Sequence, residues 1–289
     1  MSCNFGKSGV PRNSSFGNRE WGVIIKNKTV AECFLSVFYD DWNISRCDVF
    51  PLAKMGFVIP SSFYFFERNY NGLYKPCFKS TILNGSFVVL PVFSPDNSYD
   101  SIYDLISSAN SSVYVEQLYI YKNWSRDVNP FVECLVNKSN SGVDVRVIIN
   151  YNPFYSDTNE NCNQTIEYLR ENNVKVRYVY SNWSIFSNVH NKGVIVDNRS
   201  VLISSINWNE NSVARNREAG VIVYDERVAE YFSDVFLYDW KVHPSDRSAE
   251  NYGVEEVETA DYENTIYIIV IFTVTFILVA QDWRKRKWT

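Results

Sequence analysis

Apolar and polar positions change period several times along this chain, and the changes mark its elements. SFVVLPVF (86–93) is a short, nearly continuous apolar run and predicts a strand. SYDSIYDLISSA (98–109) carries apolar residues three and four apart behind Ser98, which predicts a helix capped by that serine. The alternation continues with strands in SVYVEQLYIY (112–121), VDVRVIIN (143–150) and VKVRYVY (174–180). Helices fall between them, in NPFVECLVNKS with Pro130 in its first turn and in NENCNQTIEYLRENN. Strands alternating with helices predict an α/β layered domain, a sheet flanked by helices, over residues 86–241.

The same pattern also occurs in part near the start. NREWGVIIKNKTVAECFLSVFYDDWN (18–43) lies over NREAGVIVYDERVAEYFSDVFLYDWK (216–241) without a gap, and 14 of 26 positions agree. Such agreement indicates a duplicated unit. Each copy predicts a short strand followed by an amphipathic helix, burying Val30, Phe34, Val37 and Phe38 in one and Val228, Phe232, Val235 and Phe236 in the other. SCNF (2–5) then corresponds to SINW (205–208), so residues 1–43 read as the C-terminal remnant of a first repeat. Residues 44–85, rich in Pro, Tyr and Phe, form an irregular inter-repeat segment, and 242–263 a polar linker.

TIYIIVIFTVTFILVA (265–280) is apolar and uncharged, with RKRK close behind it. The expectation is one transmembrane helix over 264–281 and a basic cytoplasmic tail over 282–289. The positive-inside rule then places the protein in the cell membrane as a single-pass chain with its bulk outside. Ten Asn-x-Ser/Thr acceptor sites, where composition alone gives about four, agree with a glycoprotein outside the cell. Six cysteines without metal-ligand spacing suit disulfides, and Cys47 with Cys77 is one candidate pair. Yet MSCNFGKSGV has no apolar export signal. With half a repeat missing at the same end, the expectation is that Met1 is not the natural start, or that the gene is degraded. A net charge of −5 gives no general electrostatic case for nucleic acid.

Candidate chemistry gathers around HNKGVIVD (190–197). If this run and SVLISSINW form a hairpin turning at Asn198 and Arg199, His190 faces Asn207 and Lys192 faces Ser205, all four on one side of the sheet. An imidazole, a fixed cation, an amide and a hydroxyl suit a phosphate group. Glu218 stands at the start of the next strand, where a carboxylate can orient His190. Asp197, by parity, points away and stabilises the turn. A lone histidine is usually structural; six such residues in register favour a functional reading. His243 falls before Pro244 in the linker and is given no role.

HNKGVIVD, followed by SSINW and NRE, resembles the H-x-K-x4-D signature of the phospholipase D superfamily, with Ser204 where that family often has Gly. The resemblance covers the second repeat and the tail of the first. It implies a phospholipase D-like fold and a phosphodiester substrate, a phospholipid ahead of nucleic acid. No cofactor and no metal is implied. His190, Lys192, Asp197 and Glu218 become the motif's catalytic set, with Lys192, Ser205 and Asn207 on the phosphoryl oxygens. One histidine attacks phosphorus and a second, from another repeat or subunit, protonates the leaving group. The first repeat offers only Ser2, Asn4 and Glu20, so a homodimer completing the site is one expectation. The rivals are a nuclease of the same superfamily and a catalytically inactive surface-binding protein.

Overall fold

The computed structural model describes residues 1–11, 13–43, 45, 49, 74–180, 185–241 and 265–269. In chain order the elements are β1 (Gly22–Ile25), α1 (Lys28–Asp41), β2 (Thr81–Asn84), β3 (Val88–Ser94), α2 (Ser98–Ser107), β4 (Ser112–Gln117), α3 (Pro130–Asn140) and β5 (Asp144–Tyr151). They continue with α4 (Ser156–Glu171), β6 (Lys175–Tyr180), β7 (Lys192–Val196), β8 (Ser200–Ser204), α5 (Glu210–Ala214), β9 (Glu218–Tyr224), α6 (Glu226–Lys241) and β10 (Thr265–Ile269). A seven-stranded sheet runs β3-β9-β8-β7-β4-β5-β6, parallel over β4-β5-β6 and antiparallel elsewhere.

Strand parity divides the core. Val113, Val115, Val147, Val194 and Leu202 pack on one sheet face with Leu105 of α2, Leu135 of α3 and Ile166 of α4. Ile148, Ile195, Val201, Ile203 and Val221 pack on the other with Phe232 and Phe236 of α6 and with Trp21 of the N-terminal segment. The α/β layers expected over 86–241 are therefore present. The cap position of the helix over 98–107 is Asn97, not Ser98, whose hydroxyl instead donates to the Val213 carbonyl at 2.7 Å.

Three expectations are corrected. The apolar run from Thr265 is not the start of a transmembrane helix: Thr265–Ile269 is a strand, antiparallel between β1 and β2. Among the described residues no helix is long and apolar enough to cross a membrane, so the single-pass placement in the cell membrane goes with it. Residues 270–289 lie outside the described residues. Second, Cys77 is a free thiol, and Cys47 lies outside the described residues. Third, α1 buries none of its residues fully; Phe38 is 53% exposed. Its counterpart α6 buries Val228, Phe232, Val235 and Phe236 completely, because α6 lies on the large sheet.

The β7–β8 hairpin forms one residue out of the expected register. Gly193 pairs with Ile203 and Val196 with Ser200. The reason is the turn: Asp197 and Asn198 take the positive φ values, +53° and +55°, as Asp and Asn do most readily among non-glycine residues. Asp197 then accepts the backbone N–H groups of Asn110, Ser111 and Ser112 at 2.7–2.8 Å, tying the turn to the start of β4. Burial pushes its carboxyl up, but these donors outweigh burial and bring it down to about 2. Its folded value is depressed, so the stabilisation is full above the unfolded value of 3.8 and is lost as pH falls from about 4 to about 2. Asp197→Ala is expected to cost about 1–2 kcal/mol, discounted for its partial exposure. Chemical denaturation at pH 7 and pH 3 measures this, with a smaller difference at pH 3.

Candidate active site

Three stretches converge beyond the carboxyl ends of β4 and β5, where β7 begins. That is where open sheets with parallel strands place ligands. The stretches are residues 2–21, residues 188–192 and residues 204–218. Arg19 donates its backbone N–H to the Asn188 carbonyl at 2.8 Å, and its own carbonyl accepts from His190 N–H at 2.9 Å. The N-terminal segment is thus added alongside the chain that carries His190.

The carboxylate on His190 is Glu20. Its two oxygens lie 2.9 and 3.0 Å from His190 Nδ1. Glu20 is itself held: Ser2 Oγ donates to it at 2.7 Å and Asn18 Nδ2 at 3.2 Å. A carboxylate only accepts, so this contact favours the tautomer with the proton on Nδ1 and the lone pair on Nε2. Glu218, expected in this role, instead accepts from Ser205 Oγ at 2.5 Å. The two carboxylates stand in matching frames. Ser2 N–H donates to the Trp21 carbonyl and Trp21 N–H to Ser2 Oγ. Ser205 N–H donates to the Ala219 carbonyl and Ala219 N–H to Ser205 Oγ.

Lys192 Nζ lies 2.9 Å from His190 Nδ1 and 3.2 Å from Nε2, against the ring, and donates to the His190 carbonyl at 2.6 Å. Ser2 and Glu20 are buried, and His190 keeps 14% of its side chain exposed. His190, Lys192 and Glu20 therefore meet, and Ser205 with Glu218 forms a second pair beside them. The buried Asn207 Oδ1 has no protein partner among the described residues. Asn4 is exposed, and Asp197 lies at the far end of β7, away from this cluster.

Lys192 is 2% exposed, and burial lowers its ammonium from the ordinary 10.5 to about 8, against the pull of Glu20 and Glu218. Between about 8 and 10.5 the unfolded chain binds the extra proton, so the Lys192 contribution to stability rises with pH while the site loses its cation. Dimethyl phosphate keeps one charge over this range. Its affinity is expected to fall about tenfold or more from pH 7 to pH 9.5 by calorimetry, a dependence that Lys192→Met removes.

Residues 102–240 match the family model described as cardiolipin synthase, PLD-like domain. That segment is a domain of the phospholipase D superfamily. Among relatives, cardiolipin synthase of Clostridium perfringens is 24% identical over 152 residues, covering 51% of this chain and 30% of its own length. Cardiolipin synthase 2 of Staphylococcus epidermidis is 27% identical over 156 residues, covering 51% and 29%. This phospholipase D-like chain thus spans about 30% of the length of the cardiolipin synthases it matches. DISARM protein DrmC of Bacillus paralicheniformis is 26% identical over 130 residues, covering 44% and 50%. Among solved structures, the phospholipase D family member Nuc from Salmonella typhimurium is 22% identical with a TM-score of 0.47, covering 54% of this chain and 95% of its own.

Sequence reasoning placed His190 and Lys192 on one sheet face and missed the role of Glu20 as the partner of His190. A signal existed: Glu20 is the first-repeat equivalent of Glu218.

Proposed function

We propose that this chain is a phosphodiesterase or phosphatidyltransferase in which His190 forms a phosphohistidine. The observation that carries the reading is the buried Glu20 carboxylate on His190 Nδ1, with Lys192 against the same ring. Glu20 on Nδ1 leaves Nε2 as the nitrogen to attack phosphorus and stabilises the imidazolium as its charge develops. The N–P bond forms as the P–O bond to the leaving group breaks. Lys192 and Asn207 hold the phosphoryl oxygens, and Ser205 is kept beside them by Glu218. Among the described residues His190 is the one imidazole, so Lys192, an acid near 8, is the group within reach to protonate the departing alkoxide. Water or a second alcohol, giving its proton back to Lys192, then displaces the phosphoryl group from His190.

Residues 1–43 serve as the C-terminal part of a first repeat, a reading supported by the matched frames of Ser2 with Trp21 and Ser205 with Ala219. A phospholipid is the favoured substrate: the named relatives include cardiolipin synthases, and a net charge of −5 offers nucleic acid little. The test offers phosphatidylglycerol vesicles and DNA separately, with an acid-free quench and peptide mass analysis. Turnover of the lipid with a phosphatidyl adduct on the His190 peptide is expected. DNA cleavage through the same adduct would replace the substrate. Bound dimethyl phosphate with neither turnover nor adduct would favour a non-catalytic phosphate-binding protein, a reading supported by His190 being the one imidazole among the described residues.

A further inference from the structure

The residue before each site carboxylate is an arginine, and each arginine reaches into the opposite repeat. Arg19 donates from Nε to Asp239 Oδ2 at 2.8 Å and from Nη2 to Oδ1 at 3.0 Å. Arg217 pairs through Nε with Asp41 Oδ2 at 2.9 Å and donates from Nη2 to Oδ1 at 2.9 Å. In the gapless alignment of 18–43 on 216–241, Arg19 corresponds to Arg217 and Asp41 to Asp239. The two bidentate pairs are therefore reciprocal, joined atom for atom in the same way, each closing near the end of the other repeat's helix, α1 or α6. One is fully buried, with both side chains at 0%; the other is 38% and 34% exposed.

The buried pair sits directly behind His190. The Arg19 main chain is bonded to Asn188 and His190, its guanidinium is fixed by Asp239, and Phe186 covers it at 4.2 Å. With backbone and side chain both fixed, the next residue has little freedom, and that residue is Glu20. We propose that Asp239 is a positioning residue for His190, acting through Arg19 and Glu20. The inference rests on the reading of Glu20 and His190 given above. Tyr74, whose hydroxyl lies 3.4 Å from Nη1 and Nη2, Glu116, Tyr231 and Tyr238 are other ionisable groups facing this cluster. Burial, reinforced by Asp239, holds Glu116 well above the usual carboxylate range. It is the acid that would ionise to replace a lost Asp239 charge.

The chain has two histidines, so His243→Gln leaves His190 as a single imidazole for nitrogen NMR. The ring ¹⁵N shifts are read at a pH where the ring is neutral, in the full chain. Glu20→Gln is expected to move them from the Nδ1–H form toward the Nε2–H form that free histidine favours. Asp239→Asn combined with Glu116→Gln is expected to move them in the same direction by a smaller amount, while Asp41→Asn leaves them in place. If that double variant does not fold, Arg19→Lys replaces it, keeping the cation and losing the fork, with the same expectation. A shift with Glu20→Gln but none with the double variant, or none with Arg19→Lys in its place, overturns the inference. So does an equal shift with Asp41→Asn. No shift with Glu20→Gln overturns the reading of the site itself.

Discussion

His190→Ala is expected to lower phosphodiester turnover roughly 10³–10⁴-fold, the scale lost when an oriented nucleophile and its proton handling are removed together. The variant should fold, because the His190 main chain keeps its bond to Arg19 and the lost ring contacts lie at a partly exposed site. Dimethyl phosphate should still bind, since Lys192 remains. The signature is therefore a collapse of kcat with modest change in affinity, measured by stopped assays beside calorimetry. Equal turnover by the variant would remove His190 from the chemistry. Exogenous imidazole offers a second check, since a small nucleophile fitting the vacated space should restore part of the rate.

The other large effect is expected at Gly193, where substitution should damage both fold and site. A Cβ there would stand 2.3 Å from Cε3 and Cζ3 of Trp21 and 3.2 Å from the Leu202 carbonyl. Real Cβ atoms do not approach an indole so closely, and Trp21 is 1% exposed with Phe232 at 4.9 Å behind it. Gly193→Ala should therefore cost about 3 kcal/mol by overpacking and lower the melting temperature by roughly 6–12 °C. Because Trp21 follows Glu20, the displaced indole should also take the carboxylate from His190 and lower kcat in whatever protein stays folded. A melt and an active-fraction assay on the same sample measure both. An alanine variant that melts with the native protein would show that the indole moves aside without cost.

The α/β alternation was legible because each buried strand and helix carries its own period. The facing of His190 with Lys192 was legible because residues two apart in a strand share a side. Hairpin register was not, since Asp197 and Asn198 compete with Asn198 and Arg199 for the turn, and only the folded β4 end rewards the first choice. The partner of His190 lies 170 residues away, so it is fixed by tertiary contact and no local pattern reveals it. The apolar stretch after Asn264 misled for a different reason. Length and lack of charge fit a span, but every residue of TIYII is β-branched or aromatic, and that composition suits the extended ladder it joins.

The family match begins at residue 102, while the carboxylate on His190 comes from residue 20. Homology and chemistry therefore draw different borders on this polypeptide. A truncated version starting at the recognised domain would keep its signature motif and lose the carboxylate on His190, the covering indole and the buried arginine in one cut. Supplying residues 1–43 in trans would be the natural way to ask whether two separate peptides can reconstitute what one continuous chain assembles.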